Sequence, residues 1–194
     1  MPLIAPLPIV SPRVTIRLVS AADLPGLLAV NGDDHVTRHL PYPSWQTLAD
    51  GEAWLARMRA LGDAGTALQF VICNTASGQV LGSCLLFRFD GGSARAELGY
   101  VLGRAHWGQG LMFEALDALL TQAFRGLGLR RIEAEVNPEN TASARLLERL
   151  GFTCEGLLRQ RWVAKGAIHD VKVYGLLRDE WPAGVAAAAA TGAA

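Results

Sequence analysis

Two stretches of the chain combine residue types and spacings that chemistry can use. In the first, Leu98-Gly99-Tyr100-Val101-Leu102 reads as a strand. It runs through Gly103-Arg104-Ala105-His106 into Trp107-Gly108-Gln109-Gly110, and Leu111 opens an amphipathic helix. Glycines let backbone N–H groups approach a ligand closely, and a helix N-terminus favours anions, so the segment is a candidate pyrophosphate cradle. It lacks the Gly-Lys-Ser/Thr of a P-loop, and its G-x-G-x-x-G is incomplete, so neither nucleotide fingerprint applies. Taken alone, a G-x-G before a helix is also what a plain strand–helix connection uses. The second stretch is Val136-Asn137-Pro138-Glu139-Asn140-Thr141-Ala142-Ser143. A strand ends there, and Asn140 caps a helix running to Leu150. Gly151 falls where a left-handed C′ residue belongs.

These segments need elements to hold them. Residues 13–18 alternate Val14, Ile16 and Leu18 with Arg13, Thr15 and Arg17, which predicts a strand. Ser20 caps a helix to about Asn31. Residues 32–44, with Gly32, two Asp and two Pro, read as a loop, and 45–62 as a helix. Strands follow at 68–74, 80–89 and 95–102, the first two joined by a turn at 75–78. The helix 111–127 is strongly amphipathic. A strand at 131–136, the helix 140–150 and two strands at 152–164 and 168–177 complete the order. This predicts a mixed α/β sheet with helices on both faces and a parallel crossover between 95–102 and 131–136.

Composition sets the outer limits. A chain of 194 residues with 51% hydrophobic and 19% charged residues is long enough to fold as one domain without disulfide or metal. We expect a Pro-rich arm over 1–12, a single domain over 13–182 and an Ala-rich tail over 183–194. Eighteen basic residues balance 18 acidic ones, which argues against sequence-independent nucleic-acid binding. No apolar run reaches a membrane span, and the N-terminus lacks the basic region of a signal peptide. Cys73, Cys84 and Cys154 form no C-x-x-C, so the expectation is buried, reduced thiols in a cytoplasmic protein. His35 and His39 are four apart in a loop-like segment, which does not favour a metal site.

The two chemical stretches, in this order and at this separation, resemble the Gcn5-related N-acetyltransferase (GNAT) family. The match is nearest to its Rim-type ribosomal-protein-alanine N-acetyltransferases. ELGYVLGRAHWGQGLMFEAL (97–116), ERLGFTCEGLLRQRWVAKGAIHDVKVYGLLRDEW (148–181) and the N-terminal R-x-T-I-R-L (13–18) carry the likeness. Trp107 stands where the family usually has Gln or Arg, and Met112 where it usually has Gly or Ala. The resemblance implies an α+β fold. Its mixed, largely antiparallel sheet has about seven strands, with the central strands splayed to admit acetyl-CoA and no metal required.

It also implies roles. Tyr100, Val101 and Leu102 would pair with the pantetheine arm, the Val101 N–H most of all polarising the thioester carbonyl. Trp107, Gly108, Gln109, Gly110 and Leu111 would take the pyrophosphate, and Asn140 would serve both the cofactor arm and the helix cap. Glu97 would take the amine proton, against the plainer reading of a solvated strand carboxylate. Ser143 would donate to the leaving thiolate, against a Ser that merely caps its helix; Tyr100 is a second proton source. The acceptor groove would lie among loops 32–44, 90–94 and 164–169, with Asp33, Asp34, Asp90 and Asp170 able to attract a basic tail. The implied function is acetyl transfer to a primary amine, a protein N-terminus first. A small amine such as a polyamine or aminoglycoside, or a non-catalytic acetyl-CoA-binding module, are the alternatives. A monomer and a homodimer both fit, with no membrane or direct nucleic-acid partner.

Overall fold

The computed structural model describes residues 8–181. Its elements are β1 (Ile9–Val10), β2 (Val14–Leu18), α1 (Leu24–Asn31), α2 (Asp34–Thr37), α3 (Leu48–Asp63), β3 (Ala67–Asn74), β4 (Val80–Asp90) and β5 (Arg95–Leu102). They continue with α4 (Leu111–Thr121), β6 (Arg131–Val136), α5 (Thr141–Arg149), β7 (Thr153–Ala164) and β8 (Ala167–Leu177). One sheet runs β1-β2-β3-β4-β5-β6-β8-β7. Eight strands replace the expected seven because Ile9–Val10, inside the expected arm, pairs with Thr15 and Ile16. The segment read as a loop contains α2, whose N-terminus Asp33 caps by accepting from the His35 N–H. Residues 1–7 and the Ala-rich tail lie outside the described residues.

Alternation along the strands sorts the side chains between two layers. On β3, Leu68, Phe70 and Ile72 join Leu116, Leu119 and Leu120 of α4 and Leu147 of α5 in the main core. Val71 and Cys73 point the other way, to Leu27 of α1 and Trp45. Helices therefore cover both faces. Cys73 and Cys84 are buried, but Cys154 is exposed, against expectation: β7 is an edge strand with little packed over it.

The sheet has one parallel junction, and it is short. β5 pairs with β6 only through Arg95–Arg131, Ala96–Ile132 and Glu97–Glu133. Beyond that point β5 stays with β4 as far as Leu102–Gly82, while β6 stays with β8 as far as Val136–Lys172. The two central strands therefore splay from Leu98 onward. The backbone edge of β5 that faces the gap is left for another partner, since buried strand edges need one.

Candidate active site

The glycine loop lies at the mouth of this gap. Gly108 and Gly110 have φ of +71° and +73°, in the left-handed region where a side chain is strained. Gly110 is the N-cap of α4, and the first intrahelical bond there is Glu114 N–H to the Gly110 carbonyl at 3.1 Å. The N–H groups before it have no intrahelical acceptor, the arrangement by which helix ends hold anions. A Cβ placed on Gly108 would meet nothing within 4 Å, so the approach is open. Leu111 and Met112 are buried in the core, so they offer the site backbone only. That is how a bulky Met112 is accommodated at a position usually small.

The loop is braced from behind by a residue that pattern reading passed over. Arg13 donates from Nη1 to the Gln109 carbonyl at 2.9 Å and from Nε to Glu114 Oε2 at 2.6 Å. Its backbone N–H and the Ser11 hydroxyl both donate to Glu114 Oε1, at 2.8 and 2.6 Å. Burial alone would raise the Glu114 pKa, but these bonds from Ser11 and Arg13 outweigh it and hold the carboxyl below its usual value. Trp107, about half exposed, donates its indole N–H to the Leu102 carbonyl at 2.8 Å, tying the loop to the end of β5.

Ala96, Leu98 and Tyr100 join the main core, so their side chains lie on the α4–α5 face of β5. There the Tyr100 and Ser143 hydroxyls are 2.6 Å apart. Asn140 accepts from the Ser143 backbone N–H at 3.2 Å, so Asn140 makes the cap and leaves the Ser143 hydroxyl to Tyr100. Burial is the main reason the Tyr100 pKa is pushed up to about 12; Tyr174 adds to the shift and the Ser143 bond opposes it. The phenol therefore stays protonated at neutral pH and can support Ser143 as a donor. One backbone assignment changes. Gly103 N–H bonds the Leu81 carbonyl at 2.8 Å, and Val101 lies opposite Ser83. Strand alternation then turns the Val101 N–H toward β4, away from the gap, and turns the backbone of Tyr100 and Leu102 toward it. The Val101 N–H, the expected polarising group, therefore does not face the gap.

Glu97 points to the opposite face, at the apex of the gap. It is not a solvated carboxylate: its side chain is 9% exposed, and both its oxygens accept from Arg88 Nη1, at 2.8 and 3.0 Å. Glu135 of β6 faces the same space and accepts from the Trp162 indole N–H at 2.6 Å and from Arg161 Nη2 at 3.2 Å. Neighbouring pairs cover the rest of this face. Glu133 is bound by Arg95 and Arg131, and Arg131 also holds Glu155 across Gly175. A Cβ on Gly175 would come within 2.5 Å of Glu155 Oε1.

The hairpin tip between β7 and β8 reaches back to the 32–44 segment, where Lys165 Nζ donates to the Thr37 carbonyl at 2.7 Å. Two of the three expected groove loops are thus joined. The four loop acids, however, are internally engaged. Asp33 pairs with Arg104 and Asp34 accepts from the Ser44 hydroxyl. Asp90 accepts from the Ser93 N–H and Asp170 from the Gln160 N–H. The carboxylates at the gap are Glu97 and Glu135 instead. Glu135, Arg88 and Trp162 were invisible to motif reading because strand register and a hairpin bring them together.

The family profile described as Acetyltransferase (GNAT) domain matches residues 13–153. The chain is 37% identical over 169 residues to an uncharacterized N-acetyltransferase, p20, of Bacillus licheniformis, covering 87% of this chain and 95% of that protein. It is 30% identical over 181 residues to the [ribosomal protein uS5]-alanine N-acetyltransferase of Escherichia coli, covering 89% and 91%. The structure of Mycobacterium smegmatis RimJ in complex with CoA-disulfide superposes with a TM-score of 0.82 at 28% identity, covering 91% of this chain and 88% of that one.

Proposed function

Because this chain belongs to the GNAT family of N-acetyltransferases, we propose that it acetylates the N-terminal α-amine of a protein, a ribosomal protein first among candidates, by direct attack on acetyl-CoA. Acetyl-CoA supplies the activated acetyl group. The residues fit it: the α4 N-terminus offers amides to the pyrophosphate, and the gap-facing edge of β5 offers Tyr100 and Leu102 to the pantetheine arm. Asn140 fixes the turn beside that arm.

The observation that carries this reading is the division of polar groups between the two sides of the gap. Tyr100 and Ser143 lie on the α4–α5 face, here the helix face, and Glu97 lies on the other, here the open face, where α1 and α3 pack on β4 and β3 and Arg88 is exposed. An acceptor approaching from the open face gives its proton to Glu97. The C–N bond forms and the C–S bond breaks. The Ser143 hydroxyl, backed by Tyr100, donates a hydrogen bond to the departing sulfur, which ends as a thiol by taking the second proton that the nitrogen loses as the amide forms. An α-amine, pKa about 7.7–8.0, is neutral in about a tenth or more of molecules at pH 7, whereas a Lys side chain near 10.4 is neutral in well under a thousandth. One carboxylate suits the first case. A ribosomal acceptor places the reaction in the cytoplasm. Among the described residues no helix is long and apolar enough to cross a membrane.

The test is CoA-thiol release with three acceptors: a basic peptide with a free Ala or Ser N-terminus, the same peptide blocked there, and spermidine. Release with the free peptide alone supports the proposal. Equal or greater release with spermidine assigns a small amine. Acetyl-CoA binding without release from any acceptor assigns a non-catalytic module.

A further inference from the structure

Glu97 and Glu135 stand on the two strands that part at the gap, and one cation bridges them. Arg88 Nη1 is 2.8 Å from Glu97 Oε1 and 3.9 Å from Glu135 Oε1. The carboxylates are 9% and 12% exposed, whereas the Arg88 side chain is 56% exposed. A guanidinium so open to water loses little by leaving, but a buried carboxylate left without a partner is costly. Glu135 has Arg161 and Trp162 as further donors. Glu133, opposite Glu97 in register, is already bound by Arg95 and Arg131. Arg88 is thus the most exposed of the cations paired at this face, and Glu97 is the carboxylate whose bonds come from a single side chain.

The backbone makes a special arrangement for this contact. Register between β4 and β5 shifts between Phe87 and Asp90, and Arg88 has φ of +52°. Such a bulge re-aims a side chain, and a non-glycine residue held there is strained. The strain is accepted where it turns a guanidinium onto Glu97.

We propose that Arg88 is a positioning residue that occupies the acceptor's ammonium subsite between Glu97 and Glu135 and is displaced when a primary ammonium enters. This rests on the reading of Glu97 as the base. An arginine cannot give up its proton at neutral pH, so the resident cation neutralises the site without reacting. It also occupies Glu97 lone pairs that would otherwise activate water. Water attacking the thioester would form a C–O bond, break the C–S bond and release acetate and CoA thiol, wasting the acetyl donor. A smaller, titratable ammonium replaces Arg88 and can pass its proton to Glu97. The acceptor this selects is a single primary ammonium.

The experiment compares wild type with Arg88→Met, which keeps the aliphatic stem, and Arg88→Lys, which keeps a cation. The acceptor is a free-N-terminal peptide. In Arg88→Met the KM for the peptide should fall by about fivefold, the factor carried by a solvent-accessible ion pair at its upper range. The KM for acetyl-CoA should hold. Acetyl-CoA hydrolysis without acceptor should rise, and Glu97→Gln added to Arg88→Met should abolish that rise. Arg88→Lys keeps a charge, so the fall in peptide KM seen in Arg88→Met should be smaller there; Arg88→Gln, which removes the charge, takes the place of Arg88→Met if that variant does not fold. A peptide KM that rises or stays level, with hydrolysis unchanged, overturns the proposal. Glu97→Gln alone tests the base: full kcat in that variant sinks the catalytic reading, whereas a fall in kcat together with an unmoved Arg88→Met sinks only the displacement.

Discussion

The two sides of the gap are built by different means. On the helix face the caps are local, while Tyr100 meets Ser143 and Arg13 braces the glycine loop from distant parts of the chain. Asn140 caps its own helix through Ser143, three residues on, and Gly110 is itself the N-cap of α4. On the open face the groups come from different strands, some near in the chain, as Arg88 is to Glu97, and some far, as Trp162 is from Glu135. Arg161 and Trp162 reach Glu135 from the β7–β8 hairpin, and Arg88 reaches Glu97 from a bulge on the neighbouring strand. A cofactor that is the same for every member of a family can be held by short motifs. An acceptor that differs can be met by side chains recruited from separate strands without disturbing those motifs.

Substitutions should separate the faces. Glu97→Gln is expected to have the largest effect, a loss of about 10²–10⁴ in kcat, with acetyl-CoA affinity kept. Steady-state kinetics beside calorimetry would show it. A parallel loss of acetyl-CoA binding would mean that the faces are one site. Ser143→Ala comes next, with kcat lower by roughly 10- to 100-fold, the range for one hydrogen bond to a charged group. A more acidic leaving thiol should rescue it, and Tyr100→Phe should give a smaller loss in the same direction. Full kcat in Ser143→Ala would leave that hydroxyl a structural role only.

Gly110→Val acts on the helix face alone. It should weaken acetyl-CoA binding by at least about tenfold, or ~1.4 kcal/mol, because a side chain both blocks the amides and strains the left-handed backbone. The peptide's KM should not follow. The smallest effect is expected at Glu114. Its folded pKa lies below the unfolded value, so the Arg13–Ser11 brace is fully present above the ordinary carboxylate range and is lost as pH falls through the folded pKa. The difference in Tm between wild type and Glu114→Gln should therefore shrink as pH is lowered from about 7 toward about 3. A difference that grows in acid would contradict the brace.

The caps and the glycine loop were legible in the sequence because they are local; the Tyr100–Ser143 contact and the Arg13 brace on the same face were not. Caps, glycines before a helix and an amphipathic period all act within a few residues, and they located Gly108, Gly110, Asn140 and Ser143. The short strand Ile9–Val10 escaped because two residues carry no period. α2 escaped because Gly, Asp and Pro around four helical residues read as a loop. The Val101 N–H was misdirected because which way a backbone amide points depends on pairing with β4, set here by Gly103 and Leu81. Glu97 could be named through the family resemblance, but its partner could not. Nothing near Arg88 in the chain distinguishes it from the many other arginines until the bulge turns it inward.

The central claim is that the open face presents a neutralised α-amine to the thioester. The most direct test is a peptide carrying both a free N-terminal Ala and internal lysines, incubated with the protein and acetyl-CoA and then fragmented in a mass spectrometer to locate the acetyl group. The account predicts acetylation at the N-terminal nitrogen, lost in Glu97→Gln. Acetyl groups on the lysine side chains with the N-terminus left free would contradict it.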